Sequence, residues 1–170
     1  MIAEISLNCG RLIESLPSRF TAKLSTIFKD VPDIVSKLPL VLTHGDLCEM
    51  NILIDPDTGH ISGVVDWAEA RHLPFGLSLW AVENVLGFMS KDGWHYYDNW
   101  EDLEMLFWEV FRHAAENLSQ EQVDLFPIVR VLGIFLRYGF MAEDNTVTRV
   151  VDAADVSRIA YLDVFCLDED

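Results

Sequence analysis

The stretch His44-Gly45-Asp46-Leu47-Cys48-Glu49-Met50-Asn51 holds the residues of this sequence best suited to chemistry. It lies between two β-prone runs, Leu40-Val41-Leu42-Thr43 and Ile52-Leu53-Ile54, so Asp46 falls on a loop anchored at both ends. An aspartate followed five residues later by an asparagine on such a loop suits phosphoryl transfer. The aspartate can orient an attacking hydroxyl and accept its proton, and the neutral amide oxygen of Asn51 is a hard ligand for magnesium. A second carboxylate, Asp66, follows fifteen residues after Asn51 in Val64-Val65-Asp66-Trp67. There it would hold the metal that bridges the nucleotide phosphates.

These side chains need a hairpin to bring them together, and the sequence supplies one. Ile52-Leu53-Ile54 and Ile61-Ser62-Gly63-Val64-Val65 read as strands joined by the turn-rich cluster Asp55-Pro56-Asp57-Thr58-Gly59. The return strand delivers Asp66 back beside the loop that carries Asp46. Taken alone, Asp46 reads as a turn-capping aspartate; together with Asn51 and Asp66, the active-site reading prevails. His44 reads as structural support. Cys48 reads as a small packed residue, Glu49 as exposed, and Glu69 and Arg71 as solvated or in contact with a substrate. Trp67 and Trp80 suit the core or a pocket edge.

Around this centre the chain is helical. Residues 1–37 read as short helices, with Pro17 ending the first and Phe20, Leu24, Ile27 and Phe28 lining one face of the second. A largely apolar helix is expected from Leu79 through Val82, Glu83 and Leu86 to Met89. An amphipathic helix follows from about Trp100 to Asn117, with the stripe Leu103, Leu106, Phe107, Val110 and Phe111. Ser119 and Gln122 form a capping-box pattern for a helix to about Met141, with Pro127 a kink point, and a last helix covers about 153–167. The helices near 101–117 and 119–141 are expected to pack through Leu106, Val110, Leu132 and Phe135. Trp94-His95-Tyr96-Tyr97 reads as an aromatic cluster in a polar loop that either binds a cationic or sugar-like ligand or packs on the helices. The fold class is α+β, mostly helical, with one small sheet near 40–66.

The set His44-Gly45-Asp46-Leu47 through Asn51, then a hairpin, then Val65-Asp66-Trp67-Ala68, parallels the kinase motifs H-R-D-L-x-x-x-N and D-F-G, with Gly45 in place of arginine. It resembles the aminoglycoside phosphotransferase and choline kinase superfamily, and its fungal members most. Pro74-Phe75-Gly76 and Leu79-Trp80 extend the likeness, which runs over roughly residues 10–165. The resemblance implies a protein-kinase-like C-terminal lobe whose hairpin carries the catalytic and metal-binding loops. It implies ATP as co-substrate, a magnesium ion held by Asn51 and Asp66, Asp46 as catalytic aspartate, and His44 bracing the loop.

One expected part has no counterpart. Gly10 is the sole glycine before Gly45, so no glycine-rich loop precedes Asp46, and Lys23, Lys29 and Lys37 fall in helical or pre-proline contexts. The expectation is a single C-terminal lobe over residues 1–170 without the ATP-gripping lobe. Such a chain would be a poorly active phosphotransferase acting on a small-molecule hydroxyl, or a pseudokinase-like interaction module or truncated relic. The face that the other lobe would cover, around the hairpin and Pro74-Phe75, would be bare and open to self-association. The formal net charge of −16 disfavours nucleic acid and anionic membrane and suits a cationic acceptor, although solvated helix faces account for it equally simply. Hydrophobic residues make up 51% without a run long enough to span a membrane. Three cysteines form neither a disulfide framework nor a zinc set, and the N-terminus lacks a basic signal region, so the expected location is cytoplasmic.

Overall fold

Three helices precede the first strand in the computed structural model, which describes residues 1–115, 117–143 and 147–167. They are α1 (Ile2–Ser15), α2 (Ser18–Phe28) and α3 (Val31–Lys37). Pro17 separates the first two, because proline offers no N–H to a continuing helix. Pro32 sits in the first turn of α3, where a missing N–H is harmless. α1 turns Leu12 inward alongside Phe20 and Leu24 of α2, all fully buried.

The strands β1 (Leu40–Thr43), β2 (Ile52–Ile54), β3 (Ile61–Val64) and β4 (Arg71–Pro74) form two separate antiparallel pairs. β2 pairs with β3 as expected, with a register irregularity between Leu53 and Ile54. The turn between them is held by the Asp55 carboxylate, which accepts the backbone N–H groups of Asp57 and Thr58 at 2.9 and 3.0 Å. β1 pairs with β4, a partner not foreseen from sequence. This second ladder closes the segment 40–74 on itself, so the loop of Asp46, and Asp66 itself, are fixed from both flanks.

The expected helix over 79–89 is corrected. α4 covers only Ala81–Leu86, and β5 (Gly87–Ser90) and β6 (Gly93–Tyr96) then form a hairpin. Gly87 explains the stop: it is fully extended, and a side chain there would strike the backbone of His95 and the ring of Trp94. Trp94 packs on α8 (Val156–Cys166), 4.9 Å from Phe165. The aromatic cluster at 94–97 is thus a strand and its turn, packed in part on a helix.

α5 (Trp100–Ala114) forms where expected, residue 116 of the anticipated span lying outside the described residues, but its inner face differs. Leu106 and Val110 are exposed, as is Leu103, while Phe107, Trp108 and Phe111 pack inward. The aromatic side is chosen because Phe75 and Phe126 meet Phe111 at ring distances of 5.7 and 5.3 Å. Arg130, paired with Glu104, also lies over Trp108. Ser119 and Gln122 do form a capping box, yet the helix divides into α6 (Gln120–Asp124) and α7 (Phe126–Tyr138), with Pro127 at the start of the second. β7 (Phe140–Glu143) and β8 (Val147–Val150) form a further hairpin where the helix was expected to end. The single small sheet expected near 40–66 is thus replaced, among the described residues, by four two-stranded ladders.

α7 is the axis of the packing. Phe126, Val129 and Leu132 face one core with α1, α3 and α4; Ile134, Phe135 and Tyr138 face the other with α1, α2 and α8. Buried charge is compensated: Glu83, 6% exposed, pairs with Arg130, which also reaches Glu104. Burial raises the Glu83 carboxyl pKa, with Arg130 pulling the other way. Among the described residues no helix is long and apolar enough to cross a membrane.

Candidate active site

His44, Asn51 and Val65 tie the two chemical elements together through four hydrogen bonds. His44 Nε2 donates to the Val65 carbonyl at 2.7 Å, and its Nδ1 accepts the Asp46 backbone N–H at 3.3 Å. A carbonyl can only accept, so this geometry places the ring proton on Nε2 and leaves Nδ1 as an acceptor. The Val65 N–H donates to the Asn51 carbonyl at 3.0 Å, and Asn51 Nδ2 donates to the Asp46 carbonyl at 2.8 Å. Both backbone groups of Val65 are therefore bound to the loop that carries Asp46, and Asp66 is the next residue. Trp67 adds to this brace: its Nε1 donates to the Val64 carbonyl at 2.9 Å, and its ring lies 4.7 Å from His44.

The orientation of Asn51 follows from its bonding. With Nδ2 donating to a carbonyl, Oδ1 is the free end of a buried side chain. Asp66 presents an exposed carboxylate with no hydrogen bond or ion pair among the described residues. It is the one non-glycine residue with positive φ among those described (φ 61°, ψ 62°), and it opens the 3-10 turn Trp67–Glu69. Left-handed backbone at a non-glycine residue is costly and tends to persist where it aims a functional side chain. Among the described residues no three His, Cys, Asp or Glu side chains group to hold a metal. Asn51 Oδ1 and the Asp66 carboxylate are the oxygen donors that could hold a cation, which would take its remaining oxygens from phosphate and water.

Gly45 shows why the kinase-type arginine is replaced. Its φ is 87°, and a Cβ there would lie 2.5 Å from the Glu69 carbonyl oxygen. The loop of Asp46 packs directly on the turn after Asp66, and no side chain fits between them.

Sequence reasoning missed Arg137. It projects from α7 and its Nη2 pairs with Asp46 Oδ1, across 91 residues of chain. Its guanidinium also lies 4.9 Å from the Trp80 ring. The signal was an arginine within an otherwise apolar helix, two turns after Arg130. Gly133, one turn before Arg137, lets α7 approach the Leu77 carbonyl closely, which sets the height of Arg137 against the loop.

A cleft of about 550 Å3 opens beside Gly45, lined in part by Glu4, Asn8, Glu69, Arg71, Trp80 and Arg137. Arg71 pairs with Glu4 at 3.1 Å in an exposed ion pair. Cys48 is half-buried and Glu49 exposed, while Cys9 and Cys166 are buried. Trp80 is a core residue that also reaches the cleft, whereas Trp67 is half-exposed.

A pinned loop with an aspartate and an asparagine, and a carboxylate on the return of a hairpin, define a phosphotransferase-like domain. Residues 7–85, which contain every one of these groups, match the model of the phosphotransferase enzyme family. Over 95 residues the chain is 28% identical to an aminoglycoside 3'-phosphotransferase of Streptomyces ribosidificus. That alignment covers 55% of this chain and 33% of the relative, so the chain spans about a third of that protein's length. No solved structure matches the chain. The likeness to the aminoglycoside phosphotransferase and choline kinase-like superfamily therefore stands, as a family signature over the segment that carries the loop and hairpin.

Proposed function

We propose that this chain is the catalytic-loop lobe of an ATP-dependent phosphotransferase that acts on a small-molecule hydroxyl. The observation that carries this reading is the bonding of Val65 to both His44 and Asn51, which sets Asp66 beside the loop of Asp46 and Asn51. Asp46 would orient the acceptor hydroxyl and take its proton. Asn51 Oδ1 and Asp66 would hold magnesium, which neutralises charge on the nucleotide phosphates when bound. His44 and Trp67 position these groups.

The described residues before Asp46 are α1, α2, α3 and β1, and none offers a glycine-rich loop or a strand lysine. Electrostatic donors to the transferred group commonly contribute about 10²–10³ each in rate. The 170 residues on their own are therefore proposed to bind ATP weakly and to turn over slowly. The acceptor is proposed to be cationic on the strength of the −16 charge and of the carboxylates of Glu4 and Glu69 at the cleft.

A second reading, a non-catalytic interaction module, is favoured by one observation: Asp46 is held in an ion pair by Arg137. Transfer of labelled phosphate from ATP to a panel of aminoglycosides and amino alcohols separates the two. Slow transfer abolished in Asp46→Asn supports the phosphotransferase. Label transfer absent, or equal in wild type and Asp46→Asn, contradicts it.

A further inference from the structure

Two arginines meet behind Asp46. Arg137 pairs with Asp46 through Nη2, while its Nε is buried without a hydrogen-bond partner. Arg158, from α8, donates Nη1 to the Arg137 carbonyl at 3.1 Å and lies 5.9 Å from the Tyr138 ring. It forms no ion pair among the described residues. Arg158 also acts on the Asp155 carboxylate, which Arg149 holds, so three arginines share the carboxylates of Asp46 and Asp155, a cation surplus that is out of character in a chain of 28 acidic and 12 basic residues. Burial and then the neighbouring Arg137 charge lower the Arg158 pKa, with Tyr138, Tyr161 and Asp46 acting in the other direction. Glu49, which is exposed, acts on Tyr161 rather than on Arg158. The Arg137 side chain, 27% exposed, reaches the cleft beside Gly45, so an entering ligand meets it there.

We infer that Arg137 and Arg158 form an anion site that takes a terminal phosphate dianion, with the Asp46 carboxylate occupying Arg137 when no phosphate is present. Guanidinium groups suit phosphate because their fork matches its oxygens, and a dianion would neutralise the surplus charge that the neighbouring carboxylates leave. Asp46 and phosphate then compete for Arg137. A phosphate at Arg137 frees Asp46 to face a hydroxyl, and an empty site leaves it paired. This inference deepens the phosphotransferase reading by adding a phosphate contact from the helical side. As a binding site it does not require turnover.

The test is titration of inorganic phosphate, without nucleotide or magnesium, against chloride at matched ionic strength. It is followed by calorimetry and by tryptophan fluorescence, since Trp80 lies against Arg137. Phenyl phosphate and ADP arms show whether a phosphorylated product or a nucleotide is the better source of the same dianion. Wild type is expected to bind phosphate. Asp46→Asn, which removes the competitor, is expected to bind about tenfold more tightly, equivalent to about 1.4 kcal/mol. Arg137→Gln and Arg158→Gln are expected to weaken binding at least tenfold, with Arg137→Lys between them and wild type. Circular dichroism checks folding, and Asp46→Asn keeps the test decisive if an arginine variant fails to fold. Unchanged affinity in Asp46→Asn, or no phosphate binding by the wild type, overturns the inference. Phosphate binding with this pattern but no transfer in the labelled-ATP assay would uphold the site and overturn the phosphotransferase reading instead.

Discussion

Gly45 and Asp66 are the two residues whose backbone decides the site. Gly45→Ala forces a Cβ to within 2.5 Å of the Glu69 carbonyl oxygen at φ 87°, so the loop must shift. The expected cost is about 2–3 kcal/mol, visible as a lower urea midpoint, because both strain and displacement act together. Asp66→Gly and Asp66→Asn part stability from function. Glycine relieves the left-handed strain and is expected to leave stability equal or slightly higher, by about 0.5–1 kcal/mol at most. Both variants lose the carboxylate proposed to face the metal. The types and spacing of Asp46, Asn51 and Asp66 were legible in the sequence because loop and hairpin are local. Arg137 was not, because its meeting with Asp46 depends on α7 folding back across 91 residues.

At the scale of elements, α1 to α3 and the β2–β3 hairpin were legible from proline placement and turn chemistry, whereas α5 was legible only as a helix. Its apolar arc is wider than one stripe, and the buried part is set by the rings of Phe75 and Phe126, which no local pattern reveals. Phe111→Ala is therefore expected to cost about 2–3 kcal/mol, while Leu106→Ala, at an exposed position, should cost less than about 0.5. Thermal melts of the two variants check this. The start of α8 carries an acid-sensitive contact. Arg149, and then the Asp152 N–H, draw the Asp155 carboxyl down to about 2. A depressed carboxyl stabilises the fold above its unfolded pKa and loses that contribution as pH falls through the folded value. Between pH about 4 and about 2 the wild type should lose stability more steeply than Asp155→Asn. Parallel acid limbs in the two proteins would refute this assignment.

Across the whole molecule, apolar side chains stay exposed on β1 and around the β2–β3 hairpin: Leu40 and Leu42, and Met50, Leu53, Ile54, Ile61 and Trp67. Of the region expected to be bare, Pro74 and Phe75 are not, since Pro74 is buried and Phe75 stacks on Phe111. Exposed apolar side chains favour self-association, while a charge of −16 opposes it through repulsion that salt screens. Sedimentation velocity is therefore expected to show association that grows with protein concentration and strengthens between low and about 0.5 M salt. A monomer at both salt levels up to high protein concentration would show that charge outweighs the exposed face.

A magnesium–nucleotide site formed by Asn51 and Asp66 beside Asp46 is tested most directly by calorimetric titration of ATP into the 170-residue chain with and without magnesium, in wild type, Asp66→Asn and Glu69→Gln. Weak binding is expected that requires magnesium, is lost in Asp66→Asn and survives in Glu69→Gln. ATP binding that is indifferent to magnesium and to Asp66→Asn, or no binding at any magnesium concentration, would contradict it.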